Sequence, residues 1–296
     1  MNVLSPTLYA EKLRHVSPFL YKIAAQSWID HEYPRHLFIE VTASCNLTCS
    51  YCPRERRGEH MDFNLFKGIV DEASTHGSRS FSLHLFGEPL LYPKWREAVR
   101  YIKEKNERHR VLLTTNGTRL NALVDEVVKA GFDKVIWTWR PEAQFTPETK
   151  EKLRKWGKFM VRLIEEITPP EALKEWGDWK PQERKKLHNY GGQIDLTKFG
   201  VQNDGKVVER YECYHLWLAP AIRWNGDMVF CCNVPSDTVY STLGNVKDKS
   251  VAEMWKSEQL KRVREDHSKG VYLDACKNCN SWATYPSMFW KNKSAV

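Results

Sequence analysis

The sequence has no apolar run that approaches the roughly 18 residues a membrane-spanning helix needs. Its first residues, Met1 to Ala10, include Pro6 but no basic flank that leads into an apolar segment, so no signal peptide is predicted. Eight cysteines in a chain without an export signal favour metal ligation or catalysis over disulfides, which a reducing compartment does not maintain. We therefore expect a cytoplasmic protein without a membrane association.

The chain also lacks internal repeats, low-complexity tracts and a Gly-x-Gly-x-x-Gly fingerprint, so nothing indicates a nicotinamide cofactor. The formal net charge is +8, but lysine and arginine are interleaved with acidic residues, as in Lys103 to Arg108. Mixed runs of this kind are usually solvated helix faces. We therefore do not expect a nucleic-acid partner, although a nucleic-acid-modifying enzyme would explain the positive charge better than other classes do.

The length of 296 residues predicts one large α/β domain with a smaller appendage. Apolar residues at helical spacing predict an N-terminal helical extension over residues 1–36. Strand and helix patterns alternate over residues 37–190, which predicts a parallel sheet with helical crossovers. The stretch from Pro169 to Tyr190 is the hardest to assign, and its prolines favour a helical insertion or a bridge between domains. The sequence pattern changes at Gly191, so we place a second domain over residues 191–296.

The most informative segment is the loop Cys45 to Cys52, which offers three cysteines directly after the predicted first strand, Leu37 to Thr42. A 4Fe-4S cluster normally takes four thiolates, so three thiolates suggest an iron left open for an exchangeable ligand. Zinc sites more often use two Cys-x-x-Cys or Cys/His pairs, and the three-residue first gap fits that pattern poorly. In a parallel barrel, a loop at the carboxyl end of the first strand lies where active sites form.

The spacing of Cys45, Cys49 and Cys52, with Tyr51 before the last cysteine, resembles the signature loop of radical S-adenosylmethionine (SAM) enzymes. The resemblance implies a partial (βα)6 TIM-like barrel and a 4Fe-4S cluster whose open iron is chelated by SAM. It implies that reductive cleavage of SAM yields a 5'-deoxyadenosyl radical, with the cofactor supplying the difficult step. It also implies an external electron donor such as flavodoxin or ferredoxin.

Further SAM-binding residues follow from the same resemblance. Gly87-Glu88-Pro89 resembles the Gly-Gly-Glu-Pro motif of the family, with Phe86 in place of the first glycine, and would meet the SAM amino group. Asn116 resembles the asparagine of a Thr-Asn-Gly turn that either shapes the end of the third strand or touches ribose. Tyr51 would pack by the adenine, and Arg162 would face the SAM carboxylate unless it is a surface arginine.

A second cysteine set, Cys213, Cys231, Cys276 and Cys279, offers four thiolates, enough to complete a cluster without an open iron. The cysteines resemble those of a shortened SPASM domain of the twitch type, which has a β-hairpin and a following helix and would hold one auxiliary 4Fe-4S cluster. Asn225-Gly226 predicts the hairpin, because both residues tolerate positive φ. Zinc bound by the same four cysteines stays an alternative.

Cys232 adjoins one of these predicted ligands. On an extended strand its side chain would point to the opposite face, away from the auxiliary cluster. It would then be either a small buried apolar residue or a hydrogen-atom donor to a substrate radical.

Within the radical SAM family, the segment Leu37 to Asn280 resembles the 2-deoxy-scyllo-inosamine dehydrogenases. Tyr190 departs from that pattern, since arginine is expected before the glycine pair, and we treat it as a candidate catalytic residue. The leading hypothesis is the two-electron oxidation of a sugar or cyclitol alcohol. Radical epimerisation, maturation of a ribosomal peptide, modification of a nucleic acid and a non-catalytic iron–sulfur redox role stay open, so the substrate is either a small molecule or a peptide.

Because seven of the eight cysteines fall into a three-ligand and a four-ligand set, we predict two 4Fe-4S clusters, about eight irons per chain. Anaerobic reconstitution followed by iron and sulfide assay measures this. A count of about four irons, or stoichiometric zinc, would contradict the auxiliary cluster.

Overall fold

The computed structural model describes residues 29–53, 58–201, 213–233 and 242–281, so most of the predicted N-terminal extension lies outside the described residues. The described strands, in chain order, are β1 His36–Ile39, β2 Ser80–Ser82, β3 Arg110–Thr115, β4 Lys134–Thr138, β5 Phe159–Ile164, β6 Gln182–Lys185, β7 Ala221–Ile222, β8 Asp227–Val229 and β9 Thr242–Asn245. The described α-helices are α1 Phe63–Thr75, α2 Trp95–Lys105, α3 Leu120–Lys129, α4 Pro147–Trp156, α5 Pro170–Trp176, α6 His215–Leu218, α7 Val251–Trp255, α8 Glu258–Ser268 and α9 Asp274–Lys277.

The nine described strands form one sheet in the order β6-β5-β4-β3-β2-β1-β7-β8-β9. Strands β1 to β6 pair in parallel, each with its neighbour in sequence, which is the topology of a partial (βα)6 barrel. β7 continues the sheet parallel to β1, and β8 and β9 then add antiparallel. The C-terminal hairpin therefore extends the barrel sheet at the edge of its first strand.

The two faces of the parallel strands differ in polarity because side chains alternate along a strand. The outer face is apolar and packs under the helices, with residues such as Leu37, Ile39 and Val161 in the main core. The alternation places the intervening positions on the interior side of the barrel. Several of them are polar, including Glu40, His84, Thr114, Thr138 and Arg162.

The helices begin and end where local chemistry dictates. The Asp62 carboxylate accepts hydrogen bonds from the first backbone N–H groups of α1, and Gly157 ends α4 in the left-handed region with φ of 71°. Glu72 of α1 accepts two hydrogen bonds from the backbone N–H groups of Val251 and Ala252, at 3.0 and 2.9 Å. This carboxylate caps α7 and fastens the C-terminal part of the chain to the barrel.

The stretch from Pro169 to Tyr190 is not simply a helical insertion or a bridge. It contains α5 and also the sixth parallel strand, β6, which pairs with β5 in the register Arg162↔Glu183. Gln182-Glu183-Arg184-Lys185 has no apolar residue. The polarity alternation that predicts strands was therefore not visible there.

Three boundaries are set by local contacts. The strand-like run from Ser80 to Phe86 forms a strand only to Ser82, and the Phe86 N–H donates to the Glu40 carboxylate at 3.2 Å. The helix expected after the hairpin is two helices, α7 and α8, since Ser257 caps α8 with its side chain. The β7–β8 hairpin closes through Arg223 to Gly226 rather than two residues, and of these four only Gly226 has positive φ.

Among the described helices, none combines the length and the apolar character required to cross a membrane.

Candidate functional site

The three-cysteine loop begins just beyond β1, at the carboxyl end of the parallel strands. Cys45, Cys49 and Cys52 are half-buried, and the Cys52 N–H donates to the Cys49 carbonyl at 3.1 Å. Thr42, at the base of the loop, bonds through its hydroxyl to Nδ1 of His60 at 2.8 Å. The loop is thus anchored where the chain returns toward α1.

The Gly87-Glu88-Pro89 turn lies directly against this loop. The Glu88 N–H donates to the Ser44 carbonyl at 2.8 Å. A Cβ on Gly87 would lie 1.9 Å from the carbonyl oxygen of Thr42 and 2.9 Å from that of Ser44. Only glycine permits this approach of two backbones, so the turn and the cysteine loop fit together without a side chain between them.

The Glu88 side chain turns inward and ties the turn to the end of β3. Its buried carboxylate accepts hydrogen bonds from the Thr115 hydroxyl at 2.7 Å, the Asn116 N–H at 2.7 Å and the Leu90 N–H at 3.1 Å. Burial raises the pKa of Glu88, while these donors act in the opposite direction. In this position Glu88 organises backbone around the site.

Asn116 and Tyr51 both lie at the rim of the cysteine loop. The Asn116 side-chain amide donates to Asn46 Oδ1 at 3.0 Å and lies 3.8 Å from Cys45 Sγ. The guanidinium of Arg140, just beyond β4, lies 4.9 Å from the centre of the Tyr51 ring. Burial raises the pKa of Tyr51, so its phenol stays protonated at neutral pH.

Arg162 belongs to an ion-paired group on the barrel interior. Its Nε lies 2.9 Å from a Glu183 carboxylate oxygen, and Lys185 Nζ lies 3.4 Å from the other oxygen of the same carboxylate. Burial would raise the pKa of Glu183, but the attraction of both cations outweighs it and holds that pKa below its usual value. Burial, reinforced by repulsion from Arg162, lowers the pKa of Lys185. That Arg162 faces the SAM carboxylate stays a prediction.

Tyr190 is held in the left-handed region at φ 48°, which is uncommon for a residue with a side chain. Its ring centre is 5.8 Å from that of Phe86 and 5.8 Å from that of His188. Withdrawal from solvent raises the pKa of Tyr190 to about 12. Through Phe86, Tyr190 lies beside the turn that abuts the three-cysteine loop, and its catalytic role stays a prediction.

The four predicted auxiliary ligands Cys213, Cys231, Cys276 and Cys279 line a single pocket together with His215 and His267. The pocket lies against the turn that contains Tyr190, because Gly191 also lines it. Cys231 Sγ accepts from the Asn233 N–H at 3.4 Å and Cys279 Sγ accepts from the Ser281 N–H at 3.2 Å. Such donors stabilise a cysteine as thiolate.

Cys232 does not follow the geometry expected of an extended strand. β8 ends at Val229, so the chain is already turning at Cys231 and Cys232. Their sulfur atoms and a ring nitrogen of His215 all lie within 4.8 Å of one another. Cys232 nevertheless lies within electrostatic range of Tyr190 and Lys185, which belong to the barrel interior.

The donor sets suit iron–sulfur groups. Thiolates are the ligands that such clusters use, and the three-cysteine loop and the four-cysteine pocket each bring cysteine side chains together. The turn at Gly87 and the Asn116 side chain border the three-cysteine loop. Backbone polar groups of the turn and the side-chain amide of Asn116 therefore lie beside the loop. The residues present therefore fit a cluster with an open position at one site and a closed cluster at the other.

Several interior residues were not predicted as site residues. They are Arg140, Glu183, Lys185, His84 and His188. Withdrawal from solvent lowers the pKa of His84 to about 3 and that of His188 to about 4, so both imidazoles are neutral at pH 7. Glu183 and Lys185 are two residues apart and share one face if Gln182–Lys185 is a strand. The sequence did not indicate a strand there, so the two residues could not be assigned to the interior.

Comparison with protein families finds two matches along the chain. Residues 39–136 match the model of the radical SAM superfamily, and residues 213–280 match SPASM, an iron–sulfur cluster-binding domain. The first match runs from the last residue of β1 into β4 and includes the three-cysteine loop, and the second covers all four cysteines of the pocket. The family inferred from Cys45 to Cys52 is thereby confirmed.

Two curated relatives match most of the chain. One, from Niallia circulans, is an S-adenosyl-L-methionine-dependent 2-deoxy-scyllo-inosamine dehydrogenase, 26% identical over 82% of this chain and 91% of its own length. The other, from Pyrococcus furiosus, is a tungsten-containing aldehyde ferredoxin oxidoreductase cofactor-modifying protein, 22% identical over 83% of this chain and 87% of its own length.

Among solved structures, BtrN in complex with AdoMet and 2-DOIA superposes with a TM-score of 0.62. It is 22% identical, and the match covers 83% of this chain and 93% of that one. At this identity the likeness establishes the shared fold, which is the partial barrel with its C-terminal extension.

Gly87→Ala should destabilise the protein, because its new methyl group would meet backbone that cannot move like a flexible side chain. We expect a loss of about 2 kcal/mol in the free energy of unfolding, the cost typical of overpacking, measured by urea unfolding under anaerobic conditions. Gly68→Ala is the matched control. A Cβ there would meet nothing within 4 Å, and alanine favours the α1 helix, so stability should rise. Equal stability of the Gly87→Ala variant and the native chain would contradict the close approach.

Proposed function

We propose that this chain, which belongs to the radical SAM superfamily and carries a SPASM domain, oxidises a polar substrate by two electrons after removing a hydrogen atom from carbon. The observation that carries the proposal is the arrangement of the two cysteine groups around one polar interior. The Tyr190 ring lies 5.8 Å from that of Phe86, next to the turn that abuts the three-cysteine loop, and the adjoining Gly191 lines the four-cysteine pocket. A substrate in that interior would be close to both groups.

The assignment of residues to cofactors is part of the proposal. Cys45, Cys49 and Cys52 would hold the SAM-binding 4Fe-4S cluster, and the four pocket cysteines would hold the auxiliary 4Fe-4S cluster. When bound, SAM and its cluster supply the hydrogen-abstracting radical, and the auxiliary cluster supplies an acceptor for the second electron.

The protein's own residues would orient the substrate and cofactor. The backbone of Gly87-Glu88-Pro89 would receive the SAM amino group, and Asn116 would lie by the ribose. Tyr51, under the guanidinium of Arg140, would pack beside the adenine, and Arg162 would reach the SAM carboxylate while it remains paired with Glu183.

The division of the chain is proposed as an N-terminal extension over residues 1–36, the radical SAM barrel over 37–190 and the auxiliary domain over 191–296. The matched ranges 39–136 and 213–280 fall within the second and third of these. The turn at Tyr190 would then be the junction between the two domains.

The proposed substrate is a sugar or cyclitol alcohol. The similarity to a dehydrogenase of 2-deoxy-scyllo-inosamine over most of both chains supports this class. Radical SAM enzymes use an external reductant, and we propose flavodoxin or ferredoxin in the cytoplasm. A peptide or a nucleic acid as substrate stays an alternative.

Replacing Cys45, Cys49 and Cys52 together by alanine should abolish reductive cleavage of SAM, because no cluster could be held beside it. Release of 5'-deoxyadenosine in anaerobic, dithionite-reduced protein, measured by liquid chromatography, tests this. The Cys232→Ser variant is the control and should still release it. Continued release by the triple variant would contradict the radical assignment.

Epimerisation is a second candidate because Cys232, whose sulfur lies within 4.8 Å of the Cys231 sulfur and of a ring nitrogen of His215 in the pocket, carries a thiol whose hydrogen could reach a substrate radical in the adjoining interior. In that reaction the thiol S–H bond breaks, a new C–H bond forms at the radical carbon and a thiyl radical remains, which one electron from the external donor and one proton return to the thiol. The Cys232→Ser variant should then cleave SAM and bind iron normally but lose the epimerised product. An unchanged product at an undiminished rate would exclude the donor role and favour oxidation.

A further inference from the structure

The barrel interior carries more positive than negative charge. Arg140 lies just beyond β4, Arg162 lies within β5 and Lys185 ends β6. The Glu183 carboxylate pairs with Arg162 and with Lys185. The side chains of Arg162 and Lys185 are only 19% and 24% exposed. A charge removed from water costs several kcal/mol unless an opposite charge lies beside it.

The other interior acids still leave Arg162 and Lys185 with one carboxylate, Glu183, between them. The buried Glu88 carboxylate offsets Arg140, whose attraction favours the charged form of Glu88. Glu40, at the end of β1, is matched by Arg223 beyond the end of the adjacent strand β7, so that edge of the sheet carries one charge of each sign. The histidines do not contribute charge at pH 7, since withdrawal from solvent lowers the pKa values of His84 and His188 to about 3 and about 4.

The cations are arranged from one cysteine group toward the other. Arg140 lies over Tyr51 of the cysteine loop. Lys185 ends β6, two residues before Leu187, whose carbonyl accepts from the side-chain amide of Asn280 at 2.7 Å, next to Cys279 of the four-cysteine pocket. Arg162 lies on the strand between them. Lys185 shares Glu183 with Arg162 and is the cation of this pair on the side of the four-cysteine pocket.

We infer that Lys185 binds an anionic oxygen group of the substrate, a phosphate or a carboxylate, at the side of the interior nearest the four-cysteine pocket. Glu183 holds the ammonium group in place at 3.4 Å without surrounding it. A phosphate or carboxylate at Lys185 would complete the charge balance in a region of low dielectric, where such a contact is strong. The inference rests on the proposed function, because it names the substrate class of the same site.

The experiment uses anaerobically reconstituted full-length protein with SAM bound and unreduced, so that no turnover occurs. Binding of glucose, glucose 6-phosphate, glucuronate and inorganic phosphate is measured by isothermal titration calorimetry. We expect at least one charged probe to bind about 10-fold more tightly than glucose, a factor typical of one charge-assisted hydrogen bond, with an affinity that falls as salt rises. Whichever of glucose 6-phosphate and glucuronate binds more tightly identifies the anion as phosphate or carboxylate.

Lys185→Gln should remove that preference and leave glucose binding unchanged, whereas Lys185→Arg should keep most of it. Lys186→Gln is the matched control, because the neighbouring Lys186 is exposed and its loss should change neither affinity. Iron content and circular dichroism verify that each variant is folded. Should Lys185→Gln not fold, Lys185→Arg and the salt dependence of the native protein still test the inference.

Equal binding of charged and neutral probes, or anion binding independent of ionic strength, would overturn the inference. So would a fall in SAM affinity in Lys185→Gln with the anion preference retained, since Lys185 would then belong to the SAM site. A clear preference for anions in a protein that never yields an oxidised product would support the anion site while the proposed oxidation fails.

Discussion

The relation between the two cysteine groups depends on a reciprocal pair of asparagines. The Asn189 N–H donates to the Asn280 side chain at 2.9 Å, and the Asn280 N–H donates to the Asn189 side chain at 3.1 Å. The Asn280 side-chain amide also reaches the Leu187 carbonyl at 2.7 Å, and that of Asn189 reaches the Asn278 carbonyl. Each bond contributes only about 1 kcal/mol, but together they fix a segment 91 residues away in sequence against the end of β6.

The hydrogen bonds between Asn189 and Asn280 require the two glycines that follow Tyr190. Gly191 and Gly192 have φ values of 71° and 94°, and a Cβ on either would lie 3.0 Å from an atom of α9 or of Asn278, which follows it. The helix that carries Cys276 can therefore rest directly on the backbone of the turn that carries Tyr190. The turn from Tyr190 to Gly192 separates the four-cysteine pocket from the barrel interior, so a substitution at Tyr190 or at the glycine pair should alter the shape of both.

The sequence predicted the family, the parallel sheet and both cysteine sets, since these depend on local periodicity and on spacing within short loops. It did not predict β6, because Gln182 to Lys185 is polar on both faces and its strand conformation comes from pairing with β5. For the same reason Glu183 and Lys185 were missed. The turn at Cys231 and Cys232 was also missed, because the end of a strand is set by contacts such as those of His215 rather than by the strand residues themselves.

The interior combines fixed charges with histidines that stay neutral. Withdrawal from solvent holds the pKa values of His36, His84 and His215 at about 3, well below the usual value for histidine. Protonation of these rings therefore does not change the charge of the interior near neutral pH, and the ion-paired group of Arg162, Glu183 and Lys185 sets the field that a substrate meets. Because these three side chains belong to two adjacent strands in fixed register, their spacing is set by the sheet rather than by a loop. A substrate would thus be oriented by rigid strands while the loops at both ends hold the cofactors.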